Sequence, residues 1–494
     1  MDTRRIVALA ALGTLGGAAA LAVFLAERPM APGARFRPAA VPGEDFALLP
    51  ESGRTFARVV IGLRPHGTSR KNASRGARNP RAVELRRRLF GIDFELLHGA
   101  CMSAAPAYST FFVAVPDPAT VLEASGEEEA DFRSYLESRL GWPEAAIRSR
   151  VRFFRVSRPL LYPQDMAEIL GLDTAGRLVL GVGADTDLQY IEPVETLVRE
   201  FPRDFALRRL AGLHVGDVNT EGGDLALSWL PDGKVGLLVG RHRAVRYLER
   251  LTGSEILGRP LTEAEIDESR RAFSLAFFGV EVVIAGEAAL RDPSRGSEEL
   301  FHADMVVAAV RNDHEALAFV PTYVMRPRDA NSGELFPEAF VRDVQREYDL
   351  VAGQMEGRGY RVVRLPFEDH PVRAPVNVSK FVDRTNGRPV VLLGRYPEHR
   401  PAAPGEASPM LRLADAVVRL QSFVDAWEER PEEPRWAALQ TEIENAWKQI
   451  DAATASPNDL FEAQRALYEA NGISVVPLPL YPSGEGGVHC LLLR

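Results

Sequence analysis

From Val151 onward the chain alternates between short apolar runs and longer amphipathic stretches, and that rhythm limits the possible folds more than any other feature. The runs Val151–Val156, Leu178–Val182, Val235–Val239, Val280–Ile284 and Val306–Val310 are of strand length and rich in β-branched residues. Glu192–Phe201 and Glu263–Phe277, which lie between them, read as helices. Alternation of this kind predicts an α/β protein. Upstream, Phe56–Leu63 reads as a further strand and Arg81–Phe90 as a helix.

Later in the chain Leu413, Val417, Leu420, Val424 and Trp427 recur at steps of three and four, as do Trp436, Leu439, Ile443, Trp447 and Ile450. Each set lies along one helix face, and Pro431 and Pro434 fall between the two, so a helical hairpin insertion is expected over about 409–452. Its stripes fit either a packed core or a lid or partner surface. A helix over Leu460–Asn471, stopped at Gly472, and a strand over Ile473–Val476 follow, and then a glycine-rich loop.

At the other end, Arg4 and Arg5 precede an uncharged stretch, Ile6–Ala26, that closes at Glu27. Residues 1–26 read as a signal peptide or an uncleaved membrane anchor, which would place the body outside the cytoplasm, secreted, periplasmic or tethered. Residues 27–55, rich in Pro, Ala and Gly and without periodicity, read as a linker to a body spanning 56–494. The 494 residues are 46% hydrophobic and carry a formal net charge of -9, which suits a large folded core and gives no electrostatic reason to expect nucleic acid. Neither a GxGxxG nor a GxxxxGK phosphate loop is present.

Four polar clusters carry candidate chemistry: Phe201-Pro202-Arg203-Asp204-Phe205, Thr220-Glu221-Gly222-Gly223-Asp224, Phe301-His302-Ala303-Asp304-Met305 and Ser483-Gly484-Glu485-Gly486-Gly487-Val488-His489-Cys490-Leu491. Each has an ordinary alternative: a surface pair for Arg203 and Asp204, a hairpin turn for Glu221–Asp224, a satisfied histidine at a strand start for His302, and a buried thiol for Cys490. A bridge between Cys101 and Cys490, the only two cysteines, is a further alternative in an exported chain. Taken together, the clusters supply carboxylates, an imidazole and a thiol. A guanidinium is a planar cation with a fixed fork of donors, so Asp204 and Asp304 could clamp opposite edges of one. Two residues apart on an extended strand, His302 and Asp304 would face the same cavity. No standard zinc spacing joins His302, Asp304, His489 and Cys490.

In this order the clusters resemble the guanidine-modifying enzymes of the pentein superfamily: arginine deiminase, agmatine deiminase, peptidylarginine deiminase and their amidinotransferase relatives. The resemblance covers roughly Phe153–Arg494. It implies a five-bladed α/β propeller of ββαβ units, with Cys490 as nucleophile, His302 as acid and base, Asp204 and Asp304 gripping the substrate, and Glu221 lining the same pocket. Asn377 is a further pocket residue by looser analogy. The implied reaction is hydrolysis of a guanidino group to a ureido product and ammonia through a covalent cysteine intermediate, with neither metal nor organic cofactor. Arg203-Asp204 lacks the Gly-Pro that follows this pair in agmatine deiminases, and export favours arginine within peptides or proteins over free arginine. Transfer of the amidino group to an amine, or guanidinium binding without catalysis, are the alternatives.

Overall fold

The computed structural model describes residues 39–65, 80–121, 124–160, 163–185, 188–214, 222–256, 258–297, 300, 302–327, 334–397, 406–429, 433–456 and 458–479. Its strands are β1 (Ala39–Ala40), β2 (Phe46–Leu48), β3 (Arg58–Gly62), β4 (Thr110–Pro116), β5 (Val151–Val156), β6 (Glu168–Asp173), β7 (Leu178–Asp185), β8 (Phe205–His214), β9 (Leu225–Trp229), β10 (Val235–Gly240), β11 (Glu281–Ala285), β12 (Ala308–Arg311), β13 (Ala316–Tyr323), β14 (Arg361–Phe367), β15 (Ser379–Val382), β16 (Pro389–Arg395) and β17 (Ser474–Pro479). They form five small sheets, ordered β3-β4-β5, β1-β2-β6-β7-β8, β9-β10-β11, β12-β13-β14 and β15-β16-β17.

Four of these sheets share one plan: an antiparallel pair, a helical crossover, and a third strand parallel to the second. The crossovers are the helix Leu188–Glu200, the helices Arg241–Thr252 and Glu263–Ala276, the helix Glu338–Gly357, and the three helices Pro409–Glu429, Glu433–Ala455 and Asp459–Ala470. The central strands are apolar over most of their length because both their faces are covered; every residue of β10 is buried. In the remaining sheet all three strands run parallel.

Local sequence sets the helix ends. Thr262 accepts from the Glu265 amide while the Glu265 side chain returns to the Thr262 amide, a reciprocal cap that starts the helix Glu263–Ala276. Asn458 caps the helix Asp459–Ala470, and Gly472, at φ +77°, turns the chain out of it into β17.

Cores form between sheets as well as within them. One joins β3–β5 to β6–β8, a second joins β6–β8 to β9–β11, a third runs through β9–β11, β12–β14 and β16, and a fourth returns from β15–β17 to β3–β5. The expected hairpin is present as the helices Pro409–Glu429 and Glu433–Ala455, and its stripe is core: Leu413, Leu420, Leu439, Ile443 and Ile450 bury against Leu85, Leu89, Ile92 and Leu96, starting on the helix Pro80–Phe94.

The linker expected over 27–55 needs correction for its described part. β2 pairs with β6, and Val41, Phe46, Leu48 and Leu49 are buried, so the folded body begins by Ala39. Glycine and proline density there marks tight turns between short strands rather than a solvated tether. No helix among the described residues is long and apolar enough to cross a membrane; Ile6–Ala26 lies outside them.

Candidate active site

Four short 3₁₀ turns precede the first strands of the four sheets that share the common plan: Pro163–Met166 before β6, Gly222–Asp224 before β9, Ala303–Met305 before β12 and Pro371–Arg373 before β15. Because each first strand runs antiparallel to the second, all four turns sit at the C-terminal ends of the parallel strands. They pack in series, the first on the second, the second on the third and the third on the fourth. Loops at that end of an open α/β sheet are where ligand chemistry is usually mounted.

Asp304 lies within the third turn and is 6% exposed, with His302 at its start. The His302 Nδ1 and Asp304 Oδ1 atoms are 3.8 Å apart. The two residues meet, although through a turn and not across one face of an extended strand. Asn377 Nδ2 donates to Asp304 Oδ2 at 3.0 Å from the chain leading into β15. Gly223 presses on the same carboxylate from the second turn: a Cβ there would stand 2.6 Å from both Asp304 oxygens. Only glycine lets the backbone lie so close. The Glu-Gly-Gly-Asp and His-x-Asp clusters therefore meet, as does Asn377. Glu221 itself lies outside the described residues.

Behind Gly223, Asp224 Oδ2 and Arg243 Nε are 3.3 Å apart with both side chains fully buried, and Gly240 leaves the space that the Asp224 carboxylate fills. This pair fixes the second turn to the helix Arg241–Thr252. Further buried charges lie beneath the turns. Lys380 Nζ meets Glu51 Oε2 at 2.8 Å, and Arg54 donates to the Leu49 carbonyl at 2.8 Å and to that of Ile169, near Glu168. Burial pulls the Arg54 pKa down, opposed by Glu168 and Glu51.

Asp204 stands elsewhere, and its expected place in the clamp needs correction. It precedes β8, and Leu178 at the start of β7 donates its amide to the Asp204 carbonyl, which puts Asp204 at the N-terminal ends of the parallel strands. The turn Pro163–Met166 lies at the opposite end, where Glu168 pairs with Gly181. Roughly 15 Å of strand separates the two ends. Asp204 is instead held by Arg58 Nε at 2.9 Å in a partly exposed pair, with a different arginine from the Arg203 of the surface-pair alternative.

The turn Pro163–Met166 corresponds to the one that holds Asp304, a correspondence that sequence reasoning passed over. A signal was present: Asp165-Met166 and Asp304-Met305 repeat the same dipeptide just ahead of a first strand, and both methionines are 2% exposed. Cys490 and its glycine loop lie outside the described residues, and so does any bridge from Cys490 to Cys101. Cys101 is buried in the core around β3–β5. β17 ends at Pro479, opposite Arg395 and at the same end of the sheets as the turns. Ten residues lie between Pro479 and Cys490, and the eleven steps of extended chain reach up to about 38 Å.

No protein-family model matches the sequence, and no curated protein matches it either.

Proposed function

We propose that the chain is a guanidine-hydrolysing enzyme of pentein type, a deiminase with a cysteine nucleophile. The observation that carries this reading is the meeting of the Glu-Gly-Gly-Asp and His-x-Asp clusters, distant in sequence, around the Asp304 carboxylate. A closed five-bladed propeller is the matching architecture. Its support is the number of sheets, the plan repeated in four of them, and cores that link each sheet to the next and the last to the first.

In this reading Asp304 holds one edge of the planar cation, and Glu221 lines the same pocket. The Cys490 thiolate attacks the guanidinium carbon, His302 gives a proton to the departing nitrogen, and ammonia leaves an amidino thioether. Neutral His302 then takes a proton from water as the water adds to the same carbon. Collapse releases the ureido product and restores the thiolate. The carboxylates favour the cationic carbon throughout, so the rate comes from positioning and electrostatics. Arginine in peptides or proteins is the proposed substrate class, and export is the proposed route to it.

The test is release of ammonia and ureido product from a benzoyl-arginine ester, free arginine and agmatine, with Cys490→Ala in parallel. Hydrolysis without added amine that disappears in C490A supports the deiminase. Product that depends on an added amine makes the chain an amidinotransferase, and no turnover of any guanidine makes it a binding protein.

A further inference from the structure

We propose that Asn377 is a positioning residue that sets the Asp304 carboxylate at a fixed distance from His302; its consequence for turnover rests on the functional reading above. Asn377 is 4% exposed and enters from a different sheet than Asp304, so its amide crosses the boundary between the third and fourth turns. The amide is itself held. Asn377 N–H donates to the Ala374 carbonyl at 2.9 Å, and the neighbouring Pro375 carbonyl accepts from the Tyr468 hydroxyl at 3.0 Å, with Tyr468 fully buried on the helix Asp459–Ala470. On the far side, Gly223 blocks retreat of the carboxylate.

The geometry gives the amide a function beyond support. At 3.8 Å, Nδ1 and Oδ1 are too far apart for a hydrogen bond but close enough for a small rotation of Asp304 to make one. A carboxylate hydrogen-bonded to the imidazole would favour its cationic form and move its pKa up, away from the range that suits a group acting first as acid and then as base. By anchoring Oδ2, Asn377 opposes that rotation. Of the charges on the two turns packed against the third, Asp224 faces Arg243 and Arg373 faces Asp369 at 3.2 Å.

The experiment is an NMR titration of the His302 imidazole in the wild-type protein, Asn377→Ala and Asn377→Ser, with His302→Gln for assignment, alongside steady-state kinetics on the benzoyl-arginine ester. Release of Asp304 in N377A should raise the His302 midpoint by about half a unit or more. In kinetics, kcat should fall about tenfold or more with a smaller change in KM, and the pH profile of kcat should move with the imidazole. N377S should fall between, and it serves in place of N377A should the alanine variant not fold. An unchanged His302 midpoint in a folded variant overturns the proposal. Absence of turnover in the wild type would sink the deiminase, while the titration still decides how Asp304 is held.

Discussion

The Asp304 carboxylate is touched by an imidazole, an amide and a glycine backbone, and single substitutions around it should separate chemistry from folding. On the proposed reading Asp304→Asn should lower kcat/KM by roughly 100-fold or more, because it removes the charge that would hold the cation. Asp204→Asn should leave turnover within about twofold and stability within about 1 kcal/mol, as its partner is a half-buried arginine at the other end of the sheet. Gly223→Ala should displace Asp304 and abolish most activity, with a stability loss of about 1–3 kcal/mol by chemical denaturation. His98 offers a different test. It is fully buried with Nε2 2.8 Å from the Gly62 carbonyl, and desolvation, with help from Arg64, pushes its pKa down to about 4. The unfolded chain therefore takes up a proton on His98 near pH 6.5 that the folded chain refuses until near pH 4. Stability is unaffected above that window and declines as pH falls through it, by up to roughly 3 kcal/mol. Urea midpoints between pH 7.5 and 4.5 should fall in the wild type and flatten in His98→Gln. These residues were unevenly legible in the sequence: His-x-Asp and Glu-Gly-Gly stood out because their spacing is local, whereas the end of the sheet on which Asp204 stands depends on strand direction, which a one-dimensional pattern does not encode.

At the scale of elements, helices and strands read out well wherever periodicity and punctuation agreed. The helix expected to stop at Gly472 ends at Ala470, and the one expected from Glu263 starts there under its reciprocal cap. Thr262→Ala should cost about 1 kcal/mol with no change in turnover. The hairpin's open question, core or lid, resolves to core for the described residues, since its stripe buries against the helix Pro80–Phe94 and the turn that follows. Ile443→Ala should therefore cost about 2–5 kcal/mol in a denaturant titration while kcat stays near wild type; a lid would show the reverse. The π-helical turn Glu95–Gly99 left no trace in the sequence, because one extra residue in a helical ring changes no composition. β1 and β2 were missed for a related reason: strands of two and three residues are too short to show alternation.

For the molecule as a whole, the alternation of strands and helices gave the α/β class, while the number five was implied only by the family resemblance and matches the count of sheets among the described residues. The sheets repeat a plan and not a sequence. Apolar runs of four to eight residues satisfy the same burial with any mixture of Val, Leu, Ile, Ala and Phe, so the repeat survives as pattern, with Asp-Met its one visible echo. The first described residues are bound into this plan twice, through β2 and Arg54 in the sheet that holds β6 and Glu168, and through Glu51, whose partner Lys380 lies on β15 of another sheet. That early anchorage shortens any leash. Should Ile6–Ala26 remain in a bilayer, the dozen residues from Glu27 to Pro38 would cap the gap between lipid and folded body at about 43 Å, their fully extended length. A protein so moored would sample only the layer of solution next to the membrane, and its targets would have to come to it there.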